Sequence, residues 1–398
     1  MKRKNITLDH PERFMNVPVI AKEKLDAAIE KATNKLALMA ERNGTAFPEC
    51  WAVDFKYKYA HNRNWVGGMY AGCFWLAYQL TGKHTFKKIA EELTATFRER
   101  LDKRIGVDDH DVGFAFTPSC VAEYKINGTR EPKKTALDAA EYFYNTSYSK
   151  EGKFIIRSHR GYRAGNVAMY RTMMDSLMNA PLLYWAAKET GNEEYFRAAH
   201  DHVKTTEENL IREDGSSFHH YQFDPETAAP VRGLTFQGHR DESCWSRGHA
   251  WGVYGFPIAY SYDKSDFIKD VHKDITYFML NHLPEDCIPY WDYDFVDGDE
   301  ARDASAGVIS ACGMMEMARN LADDDVNKTI FQSAAVQILE ATIDNCTEGV
   351  GPYDDGLICK VTAALPQRLG IDQTAVYGDY FYLEALLRYK KPDFKMYW

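Results

Sequence analysis

The sequence predicts an all-α protein closed into an (α/α)6 barrel, a toroid of six helical hairpins, and three observations lead there. Twelve helical stretches follow one another along 398 residues, six of them apolar on every side and six apolar on one face only, in strict alternation. Short turns such as LTGKH, INGTREP and ETGNEE join them, the spacing of repeated αα-hairpins. Neither end carries the atypical capping repeats that an open solenoid needs, so the hairpins close on themselves. The fully apolar helices then form an inner ring and the amphipathic ones an outer ring.

The elements follow in order. Residues 21–42 (AKEKLDAAIEKATNKLALMAER) are charged with apolar positions at helical spacing, an outer helix. After an aromatic loop, residues 66–80 read VGGMYAGCFWLAYQL without one charge, an inner helix stopped by Gly82. Residues 85–104 are amphipathic again, and 113–126 are poor in charge and end at Asn127-Gly128. The alternation continues with 131–147 outer, 171–190 inner, 192–213 outer, 242–262 inner, 265–283 outer, 304–321 inner, 324–345 outer and 377–389 inner. Strand signals are weak except at 154–157 and 218–223. A chain this long first suggests two cores, but no Pro/Gly/Ser-rich tract or charge block divides it. Residues 1–398 therefore read as one catalytic domain, with 1–20 as an N-terminal tail.

Composition narrows the function. A net charge of -10 argues against a surface for nucleic acid, while local cations such as Arg247 still allow a small anionic ligand. The start MKRKNITLDHPERFMNVPVI lacks the apolar run of a signal peptide, and no stretch has the length of a membrane span. A cytoplasmic protein, monomer or homodimer, is expected, with no membrane partner. Eight scattered cysteines without a CxxC pair imply buried thiols and no zinc site. No phosphate-binding glycine loop, GxSxG elbow or metal spacing occurs, so neither cofactor nor metal is expected.

The chemistry collects in the loops before the inner helices, which a toroid brings to one mouth with six positive helix ends. The richest stretch is 237–251, QGHRDESCWSRGHAW. Its indoles suit the C–H face of a pyranose, and its amide and guanidinium forks suit hydroxyls and carboxylates. Gln237, Trp245, Arg247 and Trp251 are candidates there, Arg247 and Trp251 sharing a helix face at i and i+4; the alternative for Arg247 is a surface ion pair with Asp241 or Glu242. His219 in SFHHYQF is either a ligand-binding imidazole or a loop residue satisfied by backbone. Asp175, among methionines in MMDSLMN, is expected to be desolvated and raised in pKa, or else to serve as a buried hydrogen-bonding group. Asp111, after His110, either faces Asp175 or caps the next helix. If the two carboxylates face each other, one holds a proton and the other stays ionised, as general acid catalysis near neutral pH requires.

With these residues in view, the chain resembles the unsaturated glucuronyl hydrolases of glycoside hydrolase family 88. HDVGFAFTPS at 110–119, YRTMMDSLMNAPLL at 170–183, SFHHYQFDPETAAPVRG at 217–233, QGHRDESCWSRGHAWGVYG at 237–255 and GDYFYLEALLRY at 378–389 carry the likeness in order. It implies the barrel reached above, and a small unsaturated oligosaccharide from a polysaccharide lyase as substrate. It also implies hydration of the C4=C5 double bond, with no attack on the glycosidic carbon. Asp175 would protonate C4 and help water add at C5, Asp111 would sit beside it, and His110, Trp65, His219, Gln237, Trp245, Arg247 and Trp251 would hold the sugar. Rival readings are an unsaturated rhamnogalacturonyl hydrolase, a sugar epimerase, which would use histidine bases, and a non-catalytic sugar-binding toroid.

Three departures from the resemblance stand out. FIIRSHRGYRAGN at 154–166 lacks a tryptophan common in relatives, and TAALPQRLGIDQ at 362–373 replaces a Ser-x-x-Ser-x-Lys loop. His249 stands where glutamine is more usual. Arg157, His159, Arg160 and Arg163 are expected to form a solvated basic face, which leaves the aglycone weakly specified.

Overall fold

The computed structural model describes residues 5–398; the basic first four residues of the tail lie outside the described residues. Fourteen α-helices and seven short strands alternate along the described chain. The helices are α1 (Lys22–Asn43), α2 (Gly67–Thr81), α3 (His84–Asp102), α4 (Val112–Phe116), α5 (Ala122–Asn127), α6 (Arg130–Ser147), α7 (His159–Arg163), α8 (Pro181–Thr190), α9 (Glu193–Leu210), α10 (Ser246–Tyr262), α11 (Asp266–Asn281), α12 (Ala304–Asn320), α13 (Val326–Cys346) and α14 (Val376–Lys390). The strands are β1 (Phe47–Pro48), β2 (Tyr59–Ala60), β3 (Tyr148–Ser149), β4 (Phe154–Ile155), β5 (Arg171–Met173), β6 (His220–Phe223) and β7 (Pro230–Leu234).

The toroid is present. Helices α10, α12, α14 and α2 pack side by side, and the ring continues through α4 and α8 back to α10, with α1, α3, α6, α9, α11 and α13 outside it. The burial follows the sequence pattern: α12 is buried along nearly its whole length, whereas α9 buries one stripe that includes Ala199, Val203 and Leu210. Phe14 of the tail is itself 1% exposed, so part of the tail belongs to the core.

Two inner helices are broken where a continuous helix is expected. After α4 the chain takes a wide π-type turn at Thr117–Val121 before α5, an irregularity frequent at functional sites. The expected helix over 171–190 starts only at Pro181. Before it, β5 pairs antiparallel with β6, Arg171 opposite Gln222 and Met173 opposite His220, and Met174–Met178 is a single 3-10 turn. Pro181 explains the late start, because its missing N–H and fixed φ fit the first helical position and no interior one. A short buried strand and a buried helix read alike when nearly every residue is apolar.

The far end of the ring is closed by the C-terminal segment. Trp398 is fully buried, stacks on Phe381 at 6.0 Å and meets the edge of Phe114 at 6.1 Å. The toroid is thus a blind cup, open on one side. Among the described residues, no helix is long and apolar enough to cross a membrane.

Candidate active site

The open side holds a pocket of about 480 Å³, walled by Trp51 and Trp65 on one flank, Trp245 and Trp251 on the other, and Phe236 and Tyr377. Flat aromatic faces of this kind bind the apolar face of a sugar ring. A larger groove of about 850 Å³ runs past Tyr184, His200 and Asp263, but His200 Nδ1 and Asp263 Oδ2 satisfy each other there at 2.5 Å. Convergence of strained titratable groups, not size, marks the functional cavity.

That convergence is built from two segments. Asp111 occupies the position before α4, yet its side chain makes no capping hydrogen bond, so the capping alternative does not hold. Its carboxylate lies 3.3 Å from His110 Nε2. Asp175 sits on the 3-10 turn, not inside a helix, and Met174 N donates to His219 O at 2.9 Å. Asn179 ties the two segments together: its Nδ2 donates to Asp175 O at 3.1 Å, and its Oδ1 accepts from Phe114 N at 2.8 Å. Gly113 packs against this asparagine's backbone, where a Cβ would come within 2.6 Å of Asn179 O.

His110 is the hub. It is 2% exposed, and Nε2 donates to Asp175 Oδ1 at 3.1 Å. On the other side of the ring, Nδ1 bonds the Asp109 carboxylate and lies 3.1 Å from Arg157 O, while the Arg157 guanidinium pairs with Asp109. Burial works against a charge on His110, but Asp111, Asp175 and Asp109 outweigh it and lift the imidazole to about 10. Burial pushes the Asp111 carboxyl up to about 7 against the pull of His110. Burial also acts on Asp175, yet the His110 charge and hydrogen bond bring it below its ordinary value. The expectation of a raised Asp175 is overturned: the hydrogen bond from His110 goes to Asp175, so Asp111 is the carboxylate that keeps a proton. The ligand atoms of Asp109, His110 and Asp111 lie within 4.8 Å of one another, but the positive charge such a cluster needs is already supplied by Arg157 and the imidazolium.

The remaining sequence candidates divide. Trp65 stacks on Tyr377 at 5.6 Å with 13° between the planes, and Trp251 packs on Phe114 at 5.2 Å. Gln237 lines the pocket and donates from Nε2 to Ala363 O at 2.8 Å. His219 lies beneath Trp245, ring centroids 4.5 Å apart; its Nδ1 accepts from Phe236 N at 3.3 Å, so the proton is on Nε2, which is buried without a partner. Arg247 is 2% exposed and pairs with Asp303, not with Asp241 or Glu242; it also holds Thr362 O at 2.7 Å and Ala363 O, between the rings of Trp245 and Tyr377. His249 faces away, bonded to Ser217 Oγ at 2.9 Å and Ile275 O at 2.8 Å.

The expected solvated basic face is only half present. Arg157 is a pocket wall residue and His159 is buried against Ser147 at 3.1 Å, whereas Arg160, paired with Asp108 at 3.1 Å, and Arg163 are exposed at the surface. Sequence reasoning missed Trp51, Asp109 and Phe236 as pocket residues and misplaced Arg157. The run Asp108-Asp109-His110-Asp111, so acidic just before an apolar helix, was the available signal for Asp109.

Comparison with known proteins fits this geometry. Residues 36–348 match Glycosyl Hydrolase Family 88. The chain is similar to the unsaturated chondroitin disaccharide hydrolase of Streptococcus pneumoniae, 39% identical over 99% of this chain and 100% of that protein. It also superposes on the crystal structure of unsaturated glucuronyl hydrolase from Streptococcus agalactiae with a TM-score of 0.94 and 36% identity, covering 100% of both chains. A mutant of the latter complexed with dGlcA-GalNAc6S superposes with a TM-score of 0.86 and 34% identity, again over 100% of both chains.

Proposed function

The chain belongs to glycosyl hydrolase family 88, and on that premise we propose that it removes 4,5-unsaturated glucuronate from lyase-generated glycosaminoglycan disaccharides of the chondroitin type. One observation carries this reading: His110 Nε2 lies 3.1 Å from Asp175 and 3.3 Å from Asp111 at the base of a sugar-sized aromatic pocket. Three carboxylates, an imidazolium and a guanidinium there share a proton supply near neutral pH, which suits protonation of an electron-rich C4=C5 vinyl ether.

The roles follow from reach. The incoming uronate adds a negative charge and displaces water, both of which favour the neutral form of Asp175. The proton for it is one hydrogen bond away on His110. Asp175 delivers that proton to C4, and the oxocarbenium character at C5 is stabilised by the nearby carboxylates. Asp175, now ionised, takes a proton from water as the water oxygen bonds to C5. The resulting hemiketal opens by breaking the bond from C5 to the ring oxygen, leaving a ketone at C5. The hemiacetal formed at C1 then expels the aglycone, and the uronate departs as a keto acid. Asp111, protonated, orients the sugar hydroxyls; Trp65, Trp245 and Trp251 stack on the ring, and Gln237, Arg247 and His219 hold its polar edge and the walls around it.

Other features support the wider reading. One dominant core that runs from Phe14 to Trp398, with a small satellite of Phe154, Ile156, Tyr170 and Phe223, supports a single catalytic domain. Eight buried free cysteines support a reducing compartment, the cytoplasm. The acidic net charge supports a sugar ligand and not nucleic acid, for a monomer or homodimer. The test is loss of the ultraviolet absorbance of the conjugated double bond from unsaturated chondroitin disaccharides. Release of the aglycone with that absorbance retained would overturn the reading.

A further inference from the structure

Beside the pocket lies a sheet face that the reaction above does not use. Strand β5 alternates, so Arg171 shares the face of Met173, which lines the pocket. Across the strands the same face carries His220 opposite Met173, then Gln222 opposite Arg171, and Arg232 of β7 opposite Gln222. Phe236 follows on as pocket wall, and the Arg171 guanidinium lies 4.4 Å above its ring.

Arg171 is anomalous. It is 8% exposed, yet among the described residues it has no carboxylate partner; Met169 Sδ at 3.8 Å is the one side chain that accepts a hydrogen bond from it, and its Nε has no partner at all. The Arg157 charge adds to the positive field around it and outweighs the opposing pull of the Asp109 carboxylate. Arg157 N donates to Arg171 O at 2.8 Å, and Arg157 itself is already committed to Asp109. His220 lies tilted against Phe236, ring centroids 4.5 Å apart, with both ring nitrogens buried and unpartnered. A buried guanidinium without a counter-ion is expensive, and it persists most economically where a ligand supplies the anion. In a protein of net charge -10, this is a local cationic shelf at the outer lip of the pocket.

We propose that Arg171, stacked on Phe236 and flanked by Gln222 and Arg232, recognises a sulfate ester on the amino sugar that leaves. This rests on the reading of the protein as an unsaturated glucuronyl hydrolase. The uronate carboxylate belongs to the sugar deep in the pocket, beside Asp175, whereas the shelf lies two residues further out along β5. The planar guanidinium fork bonds two sulfate oxygens, which an ammonium cannot do in the same geometry.

The experiment compares kcat/KM for unsulfated, 4-sulfated and 6-sulfated unsaturated disaccharides in the wild type, Arg171→Gln, Arg171→Lys and Arg368→Ala. Arg368 is an exposed cation on the neighbouring loop, whose Gln367 donates to Phe236 O at 2.6 Å. The wild type is expected to prefer a sulfated disaccharide, and Arg171→Gln to lower the sulfated-to-unsulfated ratio about ten- to hundredfold. Arg171→Lys lowers it less, and a melting curve for each variant confirms folding. An unaltered ratio in both Arg171 variants, an equal loss on all substrates, or a collapse of the ratio in Arg368→Ala instead would overturn the proposal. Failure of the wild type to consume any of the disaccharides would instead refute the underlying function. Should Arg171→Gln not fold, the lysine variant and Arg232→Ala decide, since each must lower the same ratio.

Discussion

Replacing Asp111 by asparagine is expected to stabilise the protein above neutral pH while it damages catalysis. The Asp111 carboxyl is raised from 3.8 to about 7, chiefly by burial and then by the neighbouring Asp109 and Asp175, against the pull of His110. A carboxylate whose folded pKa lies above its unfolded value stabilises the fold at low pH, and that stability is lost as pH rises from the unfolded value through the folded one. Between pH 5 and pH 7 the loss is about two pH units at ~1.36 kcal/mol each, so about 2–3 kcal/mol. Asparagine has nearly the same shape and does not titrate. The two proteins therefore melt together only below about pH 4; at pH 5 the variant is already ahead, and its lead widens as pH rises. With an unfolding entropy of about 2.1 cal/mol/K per residue over 398 residues, the further gain between pH 5 and pH 7 is about 3 °C. Thermal melts of both proteins at half-unit pH steps from 5 to 8 measure it. A variant less stable than the wild type at pH 8 would refute the reasoning, because it would mean that ionised Asp111 forms a net favourable pair with His110.

Two further substitutions bear on the site. Asp175→Asn should lower kcat by at least about 10²- to 10⁴-fold with KM and melting temperature little changed, and turnover within a few-fold of wild type would remove Asp175 from the proton transfer. Arg247→Lys should lower kcat/KM roughly ten- to hundredfold, since an ammonium cannot bond Asp303, Thr362 O and Ala363 O together as the guanidinium does; unchanged kcat/KM would leave Arg247 with a purely structural part.

The alternation of charged and apolar helices was legible because it is a long-range periodic signal, repeated from residue 21 to residue 389. The turn that carries Asp175 was not, because Arg171 to Met178 is apolar enough to pass for helix and the strand partner of Arg171 lies 51 residues away, at Gln222. Trp398 closing the ring likewise has no local signature: a terminal aromatic reads as surface until Phe114 and Phe381 are seen around it. Asp111, Asp175 and His110 were legible as a group from their motifs. Which carboxylate holds the proton was not, because it depends on a 3.1 Å contact between residues 65 positions apart. Arg247 was found as a pocket residue, but its partner was not, since the acidic neighbours at 241 and 242 were the alternative partners in view and gave no hint of Asp303. Arg171 fell at the start of the expected helix over 171–190 and drew no role, because a cation's lack of a counter-ion is visible only in three dimensions.

The central claim is that Asp175 delivers a proton to C4 and water adds at C5, and turnover in deuterium oxide followed by proton NMR and mass spectrometry tests it most directly. The account predicts that the vinyl H4 signal disappears in step with aglycone release and that the keto-acid product carries one deuterium at C4, set on a single face by the fixed position of Asp175. Release of a sugar that still holds its C4=C5 double bond, with no deuterium at C4, would contradict it.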